Sequence, residues 1–599
     1  MSEKKKVDSR AVPLKELFAE KYDVDFYQRE YVWQKNHLED LLNDLSIEFL
    51  KNWKDGDAIS EVDKYDPYFM GEIVVSEKPG KKSSIIDGQQ RITTFTLILI
   101  YMWREFKELP KFPTDIRTLI CSDYYGEEQF NLEIAERKAC MNSLFQNGSY
   151  IIKDTDPVSV INLTERYLDI ADCWNDDINN DNLVHFAYWI KEKVIFSRVW
   201  TNSDEFAYVI FETMNDRGLS LTQVEMLRSY LLANISEKDR LSSMKSFDEV
   251  VKGLINIKLS TKSKAEFDFF KIYFRGHYAV DMSQSKNANS DFVRIGKEFH
   301  RWVRENEQLV GLTDSDSYVN FIEKIAYYAR IYWKINSIIQ DQPRNTSDYF
   351  YLIVNSDYKF TMQQAVILAS IAYQDTDKIV DEKIKLVSKY LTKVLTWRVW
   401  NHWMISQSAL EAPVYELCKR IRSKSVDGIK KVLDTEPMEL PPLKGSPTLN
   451  QQNKAKIRVL LALITEIVAR ESNEPNYLLN QKDIEVEHIW AYKYANHIKE
   501  FANEIEFANA RNNIGDLLLL PKKFNASYSD KPYADKVHQY FSQNILAQTL
   551  NKQKYVNNPG FVEFKNTSGL KFEPYDEFNR ENIVKRADLY REILLWNWR

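Results

Sequence analysis

The residues best suited to chemistry lie near the C-terminal end of the chain. Residues 484–487 alternate in polarity like a short strand and bring Glu487 directly before His488; a second apolar run, 517–520, is followed by Asn525. Cutting a phosphodiester requires a base that activates water and a cation that stabilises charge on the phosphate and the departing oxygen. The pattern predicts a small nuclease with His488 as the base and Glu487 and Asn525 as metal ligands. Their hard oxygens favour Mg²⁺ or Mn²⁺ over structural zinc.

The same stretch resembles the HNH, or His-Me finger, nuclease motif: a Glu-His pair, an apolar strand that starts at the polar Asp516, and an Asn nine residues later. The wider pattern adds Asn-x-x-Gly-x-Leu-x-Leu-Leu, a Lys-Pro-Tyr-x-x-Lys ending at Lys536, and Ile583-x-x-Arg586 before Trp596. It is similar to the nuclease half of the GmrSD-type, modification-dependent (type IV) restriction endonucleases. The resemblance implies a C-terminal ββα-metal nuclease domain.

One position departs from the family pattern. The family usually reads Gly-Asn-Leu where this chain has Gly515-Asp516-Leu517. The middle Asn of an HNH site is mainly a structural hydrogen-bonding residue, and an ionised Asp accepts but does not donate. Either Asp516, which we count among the catalytic candidates, keeps the acceptor half of that role, or the neighbouring Asn512 or Asn513 supplies the rest.

A second motif follows a predicted hairpin in the N-terminal third. Strands at 69–76 and 83–86, joined by a Pro-Gly turn, lead into the sequence Asp-Gly-Gln-Gln-Arg at 87–91, which opens a helix through about Lys107. Asp87 is a candidate N-cap with Gln90 at the capping-box spacing. A strand, a glycine turn and a helix N-terminus bearing Arg91 also form an anion site. Both roles can coexist.

This motif, together with Tyr27-Gln28-Arg29, resembles the ParB-like N-terminal half of the same enzymes, which implies nucleotide binding and hydrolysis. Residues 211–221 match a third family segment, in which Asn215 suits a turn and Arg217 could complete a phosphate pocket. No Gly-x-x-x-x-Gly-Lys-Ser/Thr sequence occurs, so a P-loop is not expected. The implied nucleotide-binding residues are Gln28, Arg29, Asp87, Gly88, Gln89, Gln90, Arg91, Asn215 and Arg217, with Asp87 and Arg91 as the candidates for hydrolysis of GTP, UTP or ATP.

Composition limits the classes of protein that remain. Lys plus Arg number 81 and Asp plus Glu 87, a net charge of −6, which is not the footprint of a passive, basic DNA coat. Four scattered cysteines without a Cys-x-x-Cys pair argue against a disulfide scaffold or a zinc ribbon. The N-terminus lacks an apolar signal core, and the longest apolar run, 94–103, is too short to span a bilayer. We therefore expect a cytoplasmic protein without membrane contact.

The predicted fold is mainly α with small β elements (α+β). We expect a ParB-like nucleotide-binding and DNA-sensing domain at 1–235, a helical middle domain at 236–433 and a nuclease domain at 455–599. The stretch 434–454 combines four prolines with polar residues and no periodicity, so it is predicted to be a linker. The helix after it should run from about Ala455 to Glu471.

The leading hypothesis is a nucleoside triphosphate-regulated, metal-dependent endonuclease that cleaves modified DNA in antiviral defence. The alternative is a nucleotide-regulated DNA-binding or adaptor protein whose nuclease domain is degenerate because of Asp516. Glucosylated hydroxymethylcytosine, methylcytosine and phosphorothioate backbones all remain open as the modification. Cutting both strands would be easiest with two nuclease sites, which favours a homodimer.

Overall fold

The chain forms two compact units, Met1–Ala233 and Asn234–Arg599. The computed structural model describes residues 7–24, 31–76, 83–124, 127–134, 137–153, 156–202, 210, 222–257, 264–281, 290–341, 348–480, 483–528, 530–556 and 558–599. Helices dominate both units and the sheets are small, which confirms the predicted fold class. The finer division into nucleotide-binding domain, middle domain, linker and nuclease stays a prediction.

A six-stranded mixed sheet organises the first unit. Its strands lie in the spatial order β1 (Val7–Pro13), β8 (Val194–Thr201), β3 (Tyr68–Ser76), β4 (Ser83–Asp87), β2 (Tyr22–Val24) and β7 (Leu132–Glu133). The β1–β8 and β3–β4 pairs are antiparallel, and the β8–β3, β4–β2 and β2–β7 pairs are parallel. The predicted hairpin strands are thus confirmed as β3 and β4, which lie in the middle of the sheet. The two further strands of this unit, β5 (Cys121–Tyr124) and β6 (Glu127–Phe130), pair with each other in an antiparallel sheet.

One buried helix, Gln89–Phe106, lies in the core of this unit. Apolar side chains occupy nearly all of its faces, so it is covered on all sides rather than lying on the surface. Two of its buried threonines bond back to their own helix: Thr94 Oγ1 donates to the Gln90 carbonyl oxygen (2.9 Å) and Thr96 Oγ1 to that of Ile92 (2.9 Å). The remaining helices are Leu14–Ala19, Lys35–Asn52, Ile116–Ile120, Lys138–Asn147, Val158–Cys173, Leu183–Lys193 and Gln223–Ala233, with a 3₁₀ turn at Ile59–Lys64.

The second unit is helical apart from the antiparallel hairpin of β9 (Ile484–His488) and β10 (Leu517–Pro521). Its helices before the hairpin are Glu237–Ile255, Ala265–His277, Asp291–Glu305, Glu307–Val310, Ser315–Asp341, Phe350–Asp357, Gln363–Ser370, Asp377–Trp400, Gln407–Ile421, Val426–Leu433 and Lys454–Glu471. Those after β9 are Glu504–Arg511, Lys522–Tyr528, Tyr533–Tyr540, Ile545–Gln548, Pro559–Ser568 and Arg580–Asn597. Short 3₁₀ turns lie at Leu478–Asn480, Tyr494–His497, Ile514–Asp516 and Lys552–Tyr555.

The helix Lys454–Glu471, which begins where the sequence predicts it, supports the hairpin. It is buried along most of its length and contacts both β10 and the C-terminal helix Arg580–Asn597. The last part of the predicted linker is also ordered against this region, since Leu449 N–H donates to the Asn512 carbonyl oxygen (2.7 Å). Within the part of the chain that the structure describes, no helix is long and apolar enough to cross a membrane.

Candidate functional site

The β9–β10 hairpin brings the C-terminal candidates together. In its antiparallel register His488 lies opposite Leu517, and Glu487 lies opposite Leu518. Residues 517–520 are all buried, because β10 is covered on both faces. The end of the hairpin that carries His488 therefore also carries Asp516, the residue that precedes β10.

The imidazole of His488 forms a hydrogen bond with the side chain of Asn512. Its Nε2 lies 3.1 Å from Asn512 Oδ1. Burial lowers the pKa of His488 to about 4, and the nearby Arg511 guanidinium acts in the same direction. The imidazole is thus neutral at neutral pH and has one ring nitrogen able to accept a proton, as a general base requires. The sequence predicted Asn512 only as a possible substitute for the family Asn that Asp516 replaces. The sole indication in the sequence was that Asn512 lies close before Asp516.

Glu487 is buried and ion-paired. Its Oε1 accepts from Lys536 Nζ at 3.0 Å, and the same ammonium donates to the carbonyl oxygens of His488 (3.1 Å) and Ile489 (3.2 Å). Burial raises the pKa of Glu487, while the Lys536 charge opposes that rise. Lys536 thereby ties the helix Tyr533–Tyr540 to the end of β9. Sequence reasoning placed Lys536 in a family pattern but did not assign it to the site.

Asp516 is completely buried and closes the turn that follows β9. Its main-chain oxygen accepts from Ile489 N–H (2.8 Å), and its carboxylate Oδ1 accepts from Trp490 N–H (3.1 Å). Burial raises the pKa of Asp516 well above its ordinary value, with the Arg511 guanidinium acting against the rise. Both residues of the two alternatives make contacts at this end of the hairpin: Asp516 accepts a main-chain hydrogen bond, and Asn512 contacts His488. Which of them takes the role of the family Asn stays a prediction.

The predicted metal ligands fit a hard cation in donor chemistry. Glu487 supplies a carboxylate at the end of β9, and Asn525 lies on the helix Lys522–Tyr528, which contacts both strands of the hairpin. The side chain of Asn525 lies outside the described residues. Among the residues that are described, no cluster of three or more His, Cys, Asp or Glu side chains is arranged to hold a metal ion.

The C-terminal helix Arg580–Asn597 braces the turn before β10. A Cβ at Gly515 would lie only 1.9 Å from the Ile583 carbonyl oxygen, so glycine alone permits this approach. Farther along the helix, the buried Arg586 donates through Nη2 to the Tyr590 hydroxyl (2.5 Å), which donates to the Leu517 carbonyl oxygen (3.2 Å). The motif Ile583-x-x-Arg586, which the sequence shares with the family pattern, thus holds the first residue of β10 in place.

The N-terminal motif lies where β4 meets the buried helix. Gly88 is the N-cap residue, with a left-handed φ of 94°, and Asp87 is the last residue of β4. The capping interpretation of Asp87 is therefore wrong, because the helix begins one residue later and Gln90 then falls at the second helical position. Gly88 also packs so closely on β3 that a Cβ there would lie 2.9 Å from Ile73 Cγ1.

Arg91 and Asp87 face each other across the first turn of this helix. Arg91 Nη2 lies 3.7 Å from Asp87 Oδ2, and both side chains are partly exposed. Arg91 Nη1 reaches over Gly71 of β3, where a Cβ would lie 2.7 Å from it. The structure therefore brings a cation and a carboxylate together at a helix N-terminus, the place where an anion is best stabilised.

Of the remaining nucleotide-binding candidates, only those in the Asp-Gly-Gln-Gln-Arg motif lie within the described residues. Gln89 is buried, and Gln90 Oε1 accepts from Val32 N–H (2.9 Å), which ties the chain after the Tyr-Gln-Arg motif to the helix. Gln28 and Arg29, like Asn215 and Arg217, lie outside the described residues. Their membership of a nucleotide pocket stays a prediction.

Comparison with protein families places both halves of the chain. The model described as the GmrSD restriction endonuclease N-terminal domain matches residues 14–232. The model described as the GmrSD restriction endonucleases C-terminal domain matches residues 443–593, which include the whole hairpin site. A search of curated proteins finds no match.

Proposed function

Because the chain belongs to the GmrSD restriction endonuclease family and is a DNA endonuclease, we propose that it cuts modified DNA by HNH-type, metal-dependent chemistry under the control of a bound nucleoside triphosphate. The observation that carries the proposal is the end of the β9–β10 hairpin. There a neutral His488, contacted by Asn512, follows directly on the carboxylate of Glu487.

In the proposed reaction His488 takes a proton from the attacking water, which raises its nucleophilicity toward the scissile phosphate. Glu487 and Asn525 would hold Mg²⁺ or Mn²⁺, which supplies charge stabilisation for the phosphate and the leaving oxygen. Lys536 keeps the Glu487 carboxylate and the carbonyl oxygens of β9 in place. Asp516 holds the following turn through Trp490 N–H, so the base and the ligand are presented by a rigid hairpin end.

The nucleotide site is proposed at the N-terminus of the helix Gln89–Phe106. Backbone N–H groups of a first helical turn are not used within the helix, and Gly88 lets the chain turn tightly onto them. Arg91 would bind a phosphate by charge-assisted bonds, and Asp87 would hold a metal-bound or water-activating contact during hydrolysis. Gln28, Arg29, Gln89, Gln90, Asn215 and Arg217 complete the proposed pocket for GTP, UTP or ATP.

The proposed substrate is DNA that carries a base or backbone modification, and the proposed setting is antiviral restriction in the cytoplasm. Since the net charge is −6, DNA contact must be local or metal-assisted rather than spread over the surface. A homodimer would place two hairpin sites on opposite strands.

Cleavage assays test the proposal directly. Plasmid DNA and DNA containing glucosylated hydroxymethylcytosine, methylcytosine or phosphorothioate are incubated with Mg²⁺ or Mn²⁺, with and without each nucleotide. We expect a modified substrate to be cut when metal is present and left intact when it is absent. His488→Ala should abolish this cutting. The matched control His538→Ala, at a histidine exposed on the helix Tyr533–Tyr540, should leave it unchanged. Near-normal cutting by His488→Ala would refute the site. Nucleotide and DNA binding without cleavage in any condition would favour the adaptor alternative.

A further inference from the structure

With the amide oxygen of Asn512 facing the ring, the contact between His488 and Asn512 has one hydrogen-bonding solution. An amide oxygen accepts and cannot donate, so His488 Nε2, 3.1 Å from Asn512 Oδ1, must carry the proton of the neutral ring. The lone pair then lies on Nδ1, the opposite nitrogen. The structure thus selects one of the two tautomers of this histidine.

We propose that Asn512 is the positioning residue of the nuclease site: by accepting the Nε2–H bond it fixes the ring orientation of His488 and makes Nδ1 the nitrogen that takes the proton from water. This inference rests on the proposed nuclease function and deepens it. Which nitrogen of a histidine reacts is set by the hydrogen bond that the other nitrogen makes. For histidines that bind metals, loss of such a hydrogen-bond partner costs about 10- to 100-fold in affinity or activity, and we expect an effect of similar size for a histidine base.

The backbone of Asn512 is fastened on both sides, so its side chain presents Oδ1 from a fixed point. Its N–H donates to the Ala508 carbonyl oxygen (2.9 Å) at the end of the helix Glu504–Arg511. Its carbonyl oxygen accepts from Leu449 N–H (2.7 Å), and two residues later Ile514 N–H donates to the Pro447 carbonyl oxygen (2.9 Å). We name residues 447–449 the strap, because this segment runs alongside the turn and pairs with it at Thr448 and Asn513.

The surroundings of the ring explain why an amide suits this position. Three cations approach His488 from three different helices: Arg511, Lys536 and Lys454. Arg511 is itself committed, since its Nε donates to the Trp490 carbonyl oxygen (3.0 Å). Within this set Asn512 supplies the neutral acceptor, so it orients the ring without adding a charge beside the Glu487–Lys536 pair.

The test separates orientation from binding and from folding. Asn512→Ala removes the acceptor, Asn512→Gln moves it by one methylene, and Asn512→Asp restores an oxygen at the same place. Asn509→Ala, an exposed asparagine on the same helix, is the matched control. Single-turnover cleavage of the modified DNA that is cut in the assays above, in Mn²⁺ and with the nucleotide that supports that cutting, and the Kd for the same DNA are measured for each variant, with thermal unfolding as the check on folding. The tautomer of His488 is read by ¹⁵N-histidine NMR without metal or DNA, its signal being assigned from His488→Ala.

We expect the Nε2–H tautomer in the wild type, a cleavage rate lower by about 10- to 100-fold in Asn512→Ala and Asn512→Gln with an unchanged Kd, and recovery to within a few-fold in Asn512→Asp. An Nδ1–H tautomer in the wild type, or wild-type cleavage by a folded Asn512→Gln, would overturn the proposal. If His488→Ala cuts as well as the wild type, the nuclease assignment fails instead, and the NMR result still decides whether Asn512 sets the tautomer. Should Asn512→Ala fail to fold, the comparison of Asn512→Gln with Asn512→Asp carries the test.

Discussion

Lys536 Nζ lies 3.0 Å from Glu487 Oε1 in the interior of the second unit, and the two side chains are 49 residues apart in sequence. The pair is almost fully buried, and the ammonium's other bonds go to main-chain carbonyls of residues 488 and 489. A buried pair of this kind adds little net stability, but removal of one partner leaves an uncompensated charge. The relationship therefore makes specific demands on substitutions.

Lys536→Met should destabilise the protein by about 3–5 kcal/mol, because it leaves Glu487 charged and buried without a cation. The double variant Lys536→Met/Glu487→Gln should recover part of that loss, since no uncompensated charge remains. Thermal or denaturant unfolding of the single and double variants measures the coupling. Lys554→Met serves as control: Lys554 is equally buried but pairs with the half-exposed Glu474, so it should affect stability without affecting cleavage. Strictly additive effects of the two substitutions would contradict the pairing.

Asp516→Asn should preserve or raise both stability and cleavage. The amide oxygen can still accept from Trp490 N–H, and the substitution removes a buried acid whose pKa burial has raised. Asp516→Ala should cost about 1–3 kcal/mol, because it leaves that N–H without its acceptor. Unfolding midpoints and cleavage rates of both variants decide the matter. Equal damage by Asn and Ala would mean that the carboxylate itself is required.

Asp87→Asn should leave the unfolding midpoint within a few degrees yet strongly reduce nucleotide hydrolysis, because Asn keeps the shape and hydrogen-bonding oxygen of the side chain but removes the negative charge that faces Arg91. Arg91→Ala should weaken nucleotide binding. Gly71→Ala should do the same, since its Cβ would lie 2.7 Å from Arg91 Nη1. Gly56→Ala is the matched control, having a similar positive φ but no heavy atom near its Cβ. Phosphate release and nucleotide Kd are the readouts; nucleotide binding by Gly71→Ala equal to that of Gly56→Ala would remove Arg91 from the pocket.

Gly515→Ala should be among the most damaging small substitutions in the chain. Its Cβ would lie 1.9 Å from the Ile583 carbonyl oxygen and 2.9 Å from Ala587 N, so the C-terminal helix must move. We expect a loss of roughly 3 kcal/mol or more, the upper end for overpacking. Gly253→Ala, within the helix Glu237–Ile255 and free of contacts, should instead stabilise by about 0.5–1 kcal/mol. Equal unfolding midpoints for the two variants would disprove the close packing.

Glu466 gives a pH-dependent prediction away from the hairpin. Burial raises the pKa of this carboxyl to about 7, with Arg470 acting against the rise. The folded state holds the proton of Glu466 more tightly than the unfolded state does. The contribution of this group to the free energy of unfolding is therefore fully present below the ordinary Glu pKa and is lost as pH rises through about 7. Relative to Glu466→Gln, the wild type should lose up to roughly 3 kcal/mol between pH 5 and pH 8, at about 1.4 kcal/mol for each pKa unit. Unfolding midpoints across that range measure the effect, with the exposed Glu471→Gln as the control. A pH-independent difference would show that Glu466 does not titrate in the folded protein.

Local sequence pattern determined much of this molecule. The alternating polarity of β9 and the apolar runs of β10 and of the helices Gln89–Phe106 and Lys454–Glu471 predicted those elements, because burial of one face or of a whole element requires such a pattern. The spacing of Glu487, His488, Asp516 and Asn525 likewise predicted a candidate site, since a hairpin followed by a helix can position such residues by chain connectivity alone.

Tertiary packing decided the contacts that the pattern leaves free. Asn512 reaches His488 across 24 residues, and Lys536 reaches Glu487 across 49, because separate helices dock on the hairpin end. The N-cap of the helix Gln89–Phe106 is Gly88 rather than Asp87, because the β3–β4 pairing keeps Asp87 in the strand, opposite Val74. A capping preference is worth about 1 kcal/mol, so the cooperative pairing of a central strand overrides it. Local sequence therefore determined which residues are candidates for the site, and the packing of distant elements determined which of their atoms meet.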